Sequence, residues 1–266
     1  MSAQDHSFPI QFSCYFARSR AGEQFIQEHT IGHVISGAVE MADESNKATF
    51  KAGDLYFCRR NRLNKYTKIP GTGGDYRSVS IYFGQDVLRN FAIEYGYTSG
   101  KQVTSPAFIP LASPSVLASY MEALRAYEQT LNQAGTEHLL AIKQKEAFLL
   151  LLQMQPGLKD ILFDFSEPGK IDLEGFMNRN YHFNVSLERF AHLTGRSLST
   201  FKRDFEKQFH QTPSRWLLQK RLAEAWHLIK EEKRSPSDIY LDLGFEDLSH
   251  FSFVFKKQYG VAPTMI

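Results

Sequence analysis

The chain has 266 residues, about twice a typical domain of roughly 100–150, so two domains are expected. Its 42% hydrophobic and 23% charged residues, with 10 prolines and 17 glycines, describe a folded chain and exclude a disordered one. No apolar run reaches the roughly 18 residues of a membrane span, and Cys14 and Cys58 are too few for a disulfide framework or a four-cysteine zinc site. The start, Met1-Ser2-Ala3-Gln4-Asp5-His6, lacks the basic-then-apolar pattern of a secretion signal, so a reducing, cytoplasmic setting without a membrane partner is expected. The net charge of +2 resolves into −1 before residue 169 and +3 after it, which leaves DNA binding open.

From about residue 10 to 110 short β-branched or alternating runs are cut by turn chemistry. Ile31-Gly32-His33-Val34-Ile35 precedes Ser36-Gly37, and Leu55-Tyr56-Phe57-Cys58 follows Ala52-Gly53-Asp54. Residues 66–69 precede a glycine-rich turn at 70–74, and residues 78–83 follow it. Short strands at such intervals predict an antiparallel β-sandwich or small barrel over 1–112.

The period then changes. Ser113-Pro114 predicts a helix start, and Leu117, Tyr120, Leu124, Tyr127 and Leu131 form one apolar seam. Asn132 to Gly135 breaks it, and Thr136 opens a second helix with Leu139, Ile142, Leu149 and Leu150 as apolar positions. Residues 147–152 are apolar all round, which predicts two covered faces, one on the β-domain and one on a partner copy. The region 113–165 is therefore expected to be a helical hairpin that makes a homodimer, an intramolecular hairpin alone being the alternative. Glu167-Pro168-Gly169-Lys170 reads as the linker to a domain over 170–266.

That last region contains a repeat. Ser197, Leu198, Phe201, Phe205, Phe209 and Pro213 return fifty positions later as Asp247, Leu248, Phe251, Phe255, Tyr259 and Pro263. Ser197 and Asp247 are good N-caps, and the steps i, i+3, i+7 put the apolar residues on one buried face. Shorter helical pieces precede both copies, Leu187 to Leu193 before Thr194-Gly195 and Ser237 to Leu243 before Gly244. A short helix, a glycine turn and a longer helix make a helix-turn-helix unit, and two such units with matched caps and aromatic anchors are a specific signature. Ten of the 22 phenylalanines lie in the last 97 residues.

With those rings inward, the first long helix presents Ser199, Thr200, Lys202, Arg203 and Lys207 behind its cap Ser197. Hydroxyls and long cations suit a DNA major groove, where arginine reads guanine bidentately. A solvated polar face is the plainer alternative. The second long helix presents Ser249, His250, Ser252 and Phe253, with Lys256 and Lys257 as phosphate contacts that position without specifying. Between the copies a helix from Pro213 through Trp216, Leu222, Trp226 and Ile229 spaces the units by roughly one DNA turn, about 34 Å.

Residues 170–266 resemble the AraC/XylS family of bacterial transcription regulators, on Arg221-Leu222, Ala225, Leu228-Ile229, Ile239, Gly244-Phe245, Asp247, Ser249-His250-Phe251, Phe255-Lys256-Lys257, Tyr259-Gly260 and Pro263. Residues 10–110 resemble the cupin-like N-terminal domain of the same family, in the subgroup that includes type III secretion activators, on residues 29–37, 50–55, Arg60 and Asn61. The resemblance implies an α+β multidomain chain: a β-barrel or sandwich with a helical hairpin, then an all-α double helix-turn-helix domain. It implies a regulator on double-stranded DNA, RNA polymerase as a partner, and a small effector or a regulatory protein at the N-terminal domain. Three positions depart from the family pattern. Phe253 replaces a usual arginine, so the second unit either holds backbone more than bases or uses Phe253 on a thymine methyl. Tyr240 replaces a small residue, so the second unit packs more loosely or shifts. The chain ends at Ile266 without the usual basic tail.

Cupin-like barrels often carry a metal on a His-x-His pair. Here His29 and His33 are four apart, with Glu40 following, and alternation faces His33 with Ile31 and Ile35 but not reliably with His29. Structural, satisfied histidines are expected, with no metal, no cofactor and no catalytic residue. Cys14 and Cys58 are expected to be ordinary buried cysteines. Arg59, Arg60, Arg62, Lys65 and Lys68 form the densest basic cluster, either a contact for DNA, an anionic effector or a protein, or a solvated hairpin tip. The alternative function is a cupin-type metalloenzyme with an accessory DNA-binding arm; a further one makes the helical repeat a protein-interaction module.

Overall fold

The computed structural model describes residues 9–20, 24–100, 105–112, 115–131, 133 and 135–266. The chain divides into two compact units, Met1–Ser166 and Glu167–Ile266.

The first unit holds strands β1 (Ile10–Tyr15), β2 (Phe25–Ile26), β3 (His29–Ser36), β4 (Ala38–Ala42), β5 (Lys47–Lys51), β6 (Leu55–Cys58), β7 (Arg62–Leu63), β8 (Lys65–Ile69), β9 (Tyr76–Phe83) and β10 (Phe108–Leu111). They pair antiparallel as a five-stranded sheet β1-β9-β3-β6-β10, a three-stranded sheet β5-β4-β8 and a two-stranded ribbon β2-β7. Strand β6 shows why its run reads as continuously apolar: all four residues are buried, on both faces. Leu55 and Phe57 join a core with the helices of this unit, whereas Tyr56 and Cys58 join Val39, Met41 and Phe50 of the smaller sheet. Gly32 is needed where β3 meets β6, because a Cβ there would collide with the Tyr56 ring. Gly37, at φ +74°, makes the turn from β3 into β4.

Five helices follow or interrupt the strands: α1 (Gln85–Tyr95), α2 (Val116–Ala123), α3 (Glu128–Leu131), α4 (Glu137–Met154) and α5 (Lys159–Leu162). Sequence periodicity did not place α1; only Leu88 and Phe91 of its eleven residues are buried, and its N-cap Gly84 makes no side-chain bond. The expected start at Ser113-Pro114 lies outside the described residues, as does Asn132; the described cap of α2 is Ser115, whose Oγ accepts from the Ala118 N–H at 3.1 Å. Leu117, Tyr120, Leu124 and Leu131 are buried as expected, but Tyr127 is exposed. A 3₁₀ turn over Leu124–Tyr127 separates α2 from α3 at this point.

Of the four apolar positions expected on α4, Leu139 and Leu150 pack half-buried against the core, and Ile142 and Leu149 need correction. Its buried residues are Leu140, Gln144, Ala147, Phe148, Leu151 and Leu152, while Ile142 is 61% and Leu149 40% exposed. Gln144 sits in the seam because its Nε2 donates to the Tyr82 carbonyl at 2.6 Å, which satisfies a polar group in the apolar stripe. The Tyr120 hydroxyl donates to the Lys143 carbonyl at 2.6 Å and ties α2 to α4. Within the chain, therefore, residues 147–152 bury one face and not two.

The second unit is helical: α6 (Leu173–Asn180), α7 (Leu187–Leu193), α8 (Leu198–Phe209), α9 (Pro213–Lys230), α10 (Pro236–Ile239) and α11 (Leu248–Tyr259), ending in a 3₁₀ turn over Pro263–Met265. Phe190, Phe201 and Phe205 are fully buried, and the Phe205 ring lies 4.2 Å from Phe209 and 5.6 Å from Trp216. The second copy repeats this: Phe251 and Phe255 are fully buried, and Tyr259 lies 4.8 Å from Phe255 and 4.5 Å from Trp226. The 18 residues of α9 give a rod of about 27 Å, so a one-turn spacing of the units requires their long helices to project past its ends. The short helix of the second unit differs from expectation: α10 ends at Ile239, and the chain leaves it in turns from Tyr240 to Gly244. Tyr240 packs half-buried against the second core.

Candidate nucleic-acid interface

The two long helices of the repeat are held by different devices. Before α8, the Thr194 hydroxyl is buried and donates to the Phe190 carbonyl at 2.9 Å, and Gly195 turns the chain at φ +65°. Arg196 is taken inward: its Nε donates to Asp204 Oδ2 at 3.1 Å, and its Nη1 to the carbonyls of Thr194 and Ile171 at 2.7 and 3.1 Å. That hydrogen bond, with Lys170 and Arg203 nearby, holds the Asp204 carboxyl below the usual carboxylate range. Before α11, Arg221 reaches from α9 and donates to three carbonyls, Tyr181, Phe183 and Gly244, each at 2.8 Å. Burial lowers the Arg221 guanidinium to about 10. Gly244, at φ +83°, leaves the room; a Cβ would lie 2.9 Å from Arg221 Cζ.

Both helices open on caps read from the sequence. Ser197 Oγ accepts from the Thr200 N–H at 3.3 Å, and Asp247 Oδ1 accepts from the His250 N–H at 2.6 Å. On α8, Ser197, Ser199, Lys202, Arg203 and Lys207 are exposed and Thr200 is half-buried. Ser197 Oγ also lies 3.1 Å from Ser199 Oγ and 3.0 Å from Thr200 Oγ1, a hydroxyl cluster at the helix start. Arg203 pairs with Asp204 at 3.6 Å and keeps a side chain 75% exposed. Glu206, which the motif reading passed over, is exposed on the same face at i+3 from Arg203. On α11, Ser249, His250, Phe253, Lys256 and Lys257 are all exposed, and Ser252 is half-buried.

In the first unit a cavity of about 100 Å³ lies between the sheets, lined by Tyr56, Tyr66, Tyr76, Tyr82, Glu28 and Lys68 among others. Burial pushes the Tyr56 and Tyr66 phenols well up, raises Tyr76, and raises Tyr82 to about 12, so these hydroxyls stay protonated at neutral pH. The sequence did not single them out, since tyrosine in a strand is ordinary and only the sheet register brings these together.

Four expectations for this unit change. Strand β3 begins at His29, so alternation puts His29, Ile31 and His33 on one face. Four residues of strand separate the two histidines by about 13 Å, too far for one ion with bonds of about 2.1 Å. Neither is fully satisfied: His29 stacks on Phe57 at 5.4 Å and its Nδ1 accepts from the Arg60 N–H at 3.3 Å, but His29 Nε2 and His33 Nδ1 have no hydrogen-bond partner among the described residues. Burial, then the charges of Arg60 and Arg59, lowers His29 to about 3. Cys14 is exposed; only Cys58 is buried, with its thiol pushed up to about 12. The basic cluster is no solvated tip: Arg59 and Arg60 are buried, because residues 164–166 return to cover them. Arg60 Nη2 donates to the carbonyls of Asp164 and Ser166 at 2.8 and 3.1 Å, and Arg59 pairs with the Asp164 carboxylate at 3.7 Å. Among the described residues no group of three or more His, Cys, Asp or Glu is placed to hold a metal, and no helix is long and apolar enough to cross a membrane.

Comparison with known proteins bears directly on this geometry. Residues 190–266 match a family described as a helix-turn-helix domain, and residues 29–160 match the ExsA N-terminal regulatory domain. The virulence regulon transcriptional activator VirF of Yersinia enterocolitica is 32% identical over 239 residues, 87% of this chain and 86% of VirF. The transcriptional regulator ExsA of Pseudomonas aeruginosa is 24% identical over 244 residues, 90% of this chain and 85% of ExsA. The crystal structure of ToxT from Vibrio cholerae aligns with 97% of this chain and 96% of its own, at 12% identity and a TM-score of 0.41. The chain belongs to the AraC family of DNA-binding transcription regulators, in the subgroup of the type III secretion activators.

Proposed function

We propose that this regulator binds duplex DNA site-specifically by laying α8 and α11 in successive major-groove segments. The observation that carries the reading is the pair of capped helices, anchored by equivalent aromatic rings, that turn hydroxyls and cations outward. Arg203 is the guanine reader of α8; Ser197, Ser199, Thr200, Lys202 and Lys207 flank it on bases and phosphates. On α11, Ser249, His250 and Phe253 face the bases, and Lys256 and Lys257 hold phosphates. Residues 1–112 regulate, 113–165 make a homodimer, and 170–266 read DNA. As the family resemblance implies, the protein works with RNA polymerase, in the cytoplasm, as a regulator without enzymatic chemistry, metal or cofactor.

The phenol-lined cavity favours a small polar effector as the regulating ligand, since it gathers several protonated hydroxyls around one space. A regulatory protein docked on the first unit is the second reading, supported by the secretion-activator resemblance. A thermal-shift screen of the full chain against small polar metabolites separates them, a stabilising hit favouring the effector.

The DNA reading is tested by salt dependence of affinity. Neutralising phosphates gives a log–log slope of about −0.9 per phosphate. Arg203→Ala is expected to cost about 1–3 kcal/mol and relax specificity at one base pair, whereas Lys256→Ala weakens all sequences alike and reduces the slope by about 1. Equal loss of specificity in both variants contradicts this division of roles.

A further inference from the structure

Within Glu167–Ile266 the aromatic side chains are spent on the two cores or lie half-buried beside them, with one exception. Phe253 is 67% exposed, in the middle of α11, and makes no ring contact with the described residues. It stands at the position of the second copy that Arg203 holds in the first, fifty residues earlier, and both side chains point away from their cores. Its neighbours on the helix face are polar: Ser249 and His250 one turn before it, Lys256 and Lys257 one turn after it, all exposed. A large apolar ring set in a hydroxyl-and-cation surface suits an apolar partner inside an anionic setting. Two lysines one turn away supply the charge complement to phosphates and favour a nucleic-acid groove over an apolar protein groove.

In a major groove the one apolar feature on a base edge is the 5-methyl group of thymine. A phenyl ring cannot accept or donate the bonds that read guanine, so the equivalence of Arg203 and Phe253 makes the two copies readers of different bases. We propose that Phe253 is the specificity-determining residue of the second unit, packing on a thymine methyl, so that one chain recognises guanine in one groove segment and thymine in the next. This rests on the reading that α11 enters the major groove.

The test uses the full chain. Duplexes selected from a random-sequence pool define the bound site, and each thymine in the half protected by α11 is then replaced in turn by deoxyuridine, which removes the methyl and keeps every hydrogen-bonding group. At one position the substitution should weaken binding about four-fold, the worth of one buried methyl. Phe253→Ala should lose a similar factor on the thymine site and become indifferent to deoxyuridine. Phe253→Leu should retain the sensitivity, and Arg203→Ala should lose its guanine while keeping it. Because Phe253 is exposed and outside both cores, its replacement leaves the fold intact, which unchanged thermal melting verifies. Two protected halves with binding indifferent to deoxyuridine would overturn the methyl contact alone. A single protected half, on the α8 side, would overturn the docking of α11 and the proposal with it.

Discussion

At the scale of single residues, polar groups taken out of water are each answered by a specific bond or left with a cost. Arg221 is answered three times, by Tyr181, Phe183 and Gly244, and so fixes the turn of the second unit to the loop before α7. The family resemblance marks Arg221 as a matching position, but its three carbonyl partners are legible only in space. His29 is answered once. Burial and the nearby Arg60 and Arg59 lower it to about 3, so between about pH 6.5 and about pH 3 the unfolded chain binds a proton that the folded chain refuses. Stability is therefore fully present above that window and falls as pH drops through it, by up to about 1.4 kcal/mol per pH unit from this group. His33, lowered by burial, adds in the same direction. Urea midpoints at pH 7.5 and 5.5 should differ in that sense, and His29→Gln should reduce the difference; an unchanged pH dependence would contradict a neutral, buried His29.

At the scale of elements, legibility follows whether an element has one face or two. The strands and the repeated helices declare themselves, because alternation and the steps i, i+3, i+7 separate buried from exposed positions. Helix α4 does not: leucines run all round it, and the true seam is marked by a glutamine, Gln144, whose partner is the Tyr82 carbonyl on β9. The apolar positions in its sequence therefore include Ile142 and Leu149, which the fold leaves exposed, beside Leu139 and Leu150, which pack on the core. That exposure sharpens the assembly prediction. If residues 113–165 make the dimer, the exposed stripe of α4 is where the copies meet, since apolar area removed from water drives association. Sedimentation of the full chain is expected to show a dimer, and Ile142→Lys combined with Leu149→Lys should give a folded monomer with unchanged thermal melting. A dimer in the doubly substituted chain would place the contact elsewhere.

At the scale of the molecule, the repeat at fifty residues was the most legible feature, because two copies impose the same caps, rings and glycine turns on distant stretches of sequence. The basic cluster at residues 59–68 was the least, since its partners return about a hundred residues later: the Asp164 carboxylate on Arg59, and the Asp164 and Ser166 carbonyls on Arg60. Charge density along a sequence does not say which cations face solvent, and the exposed ones proposed to meet DNA belong to α8 and α11. The phenol cavity was hidden for the same reason, being assembled from β6, β8 and β9 by sheet register. The central claim is that two unlike readers on one chain occupy adjacent turns of DNA. Footprinting of the full-length protein on the DNA upstream of its own gene tests it most directly. The account predicts two protected segments about one helical turn apart per chain, with Arg203→Ala clearing one of them first. A single protected segment per chain, or no protection at low salt, would contradict it.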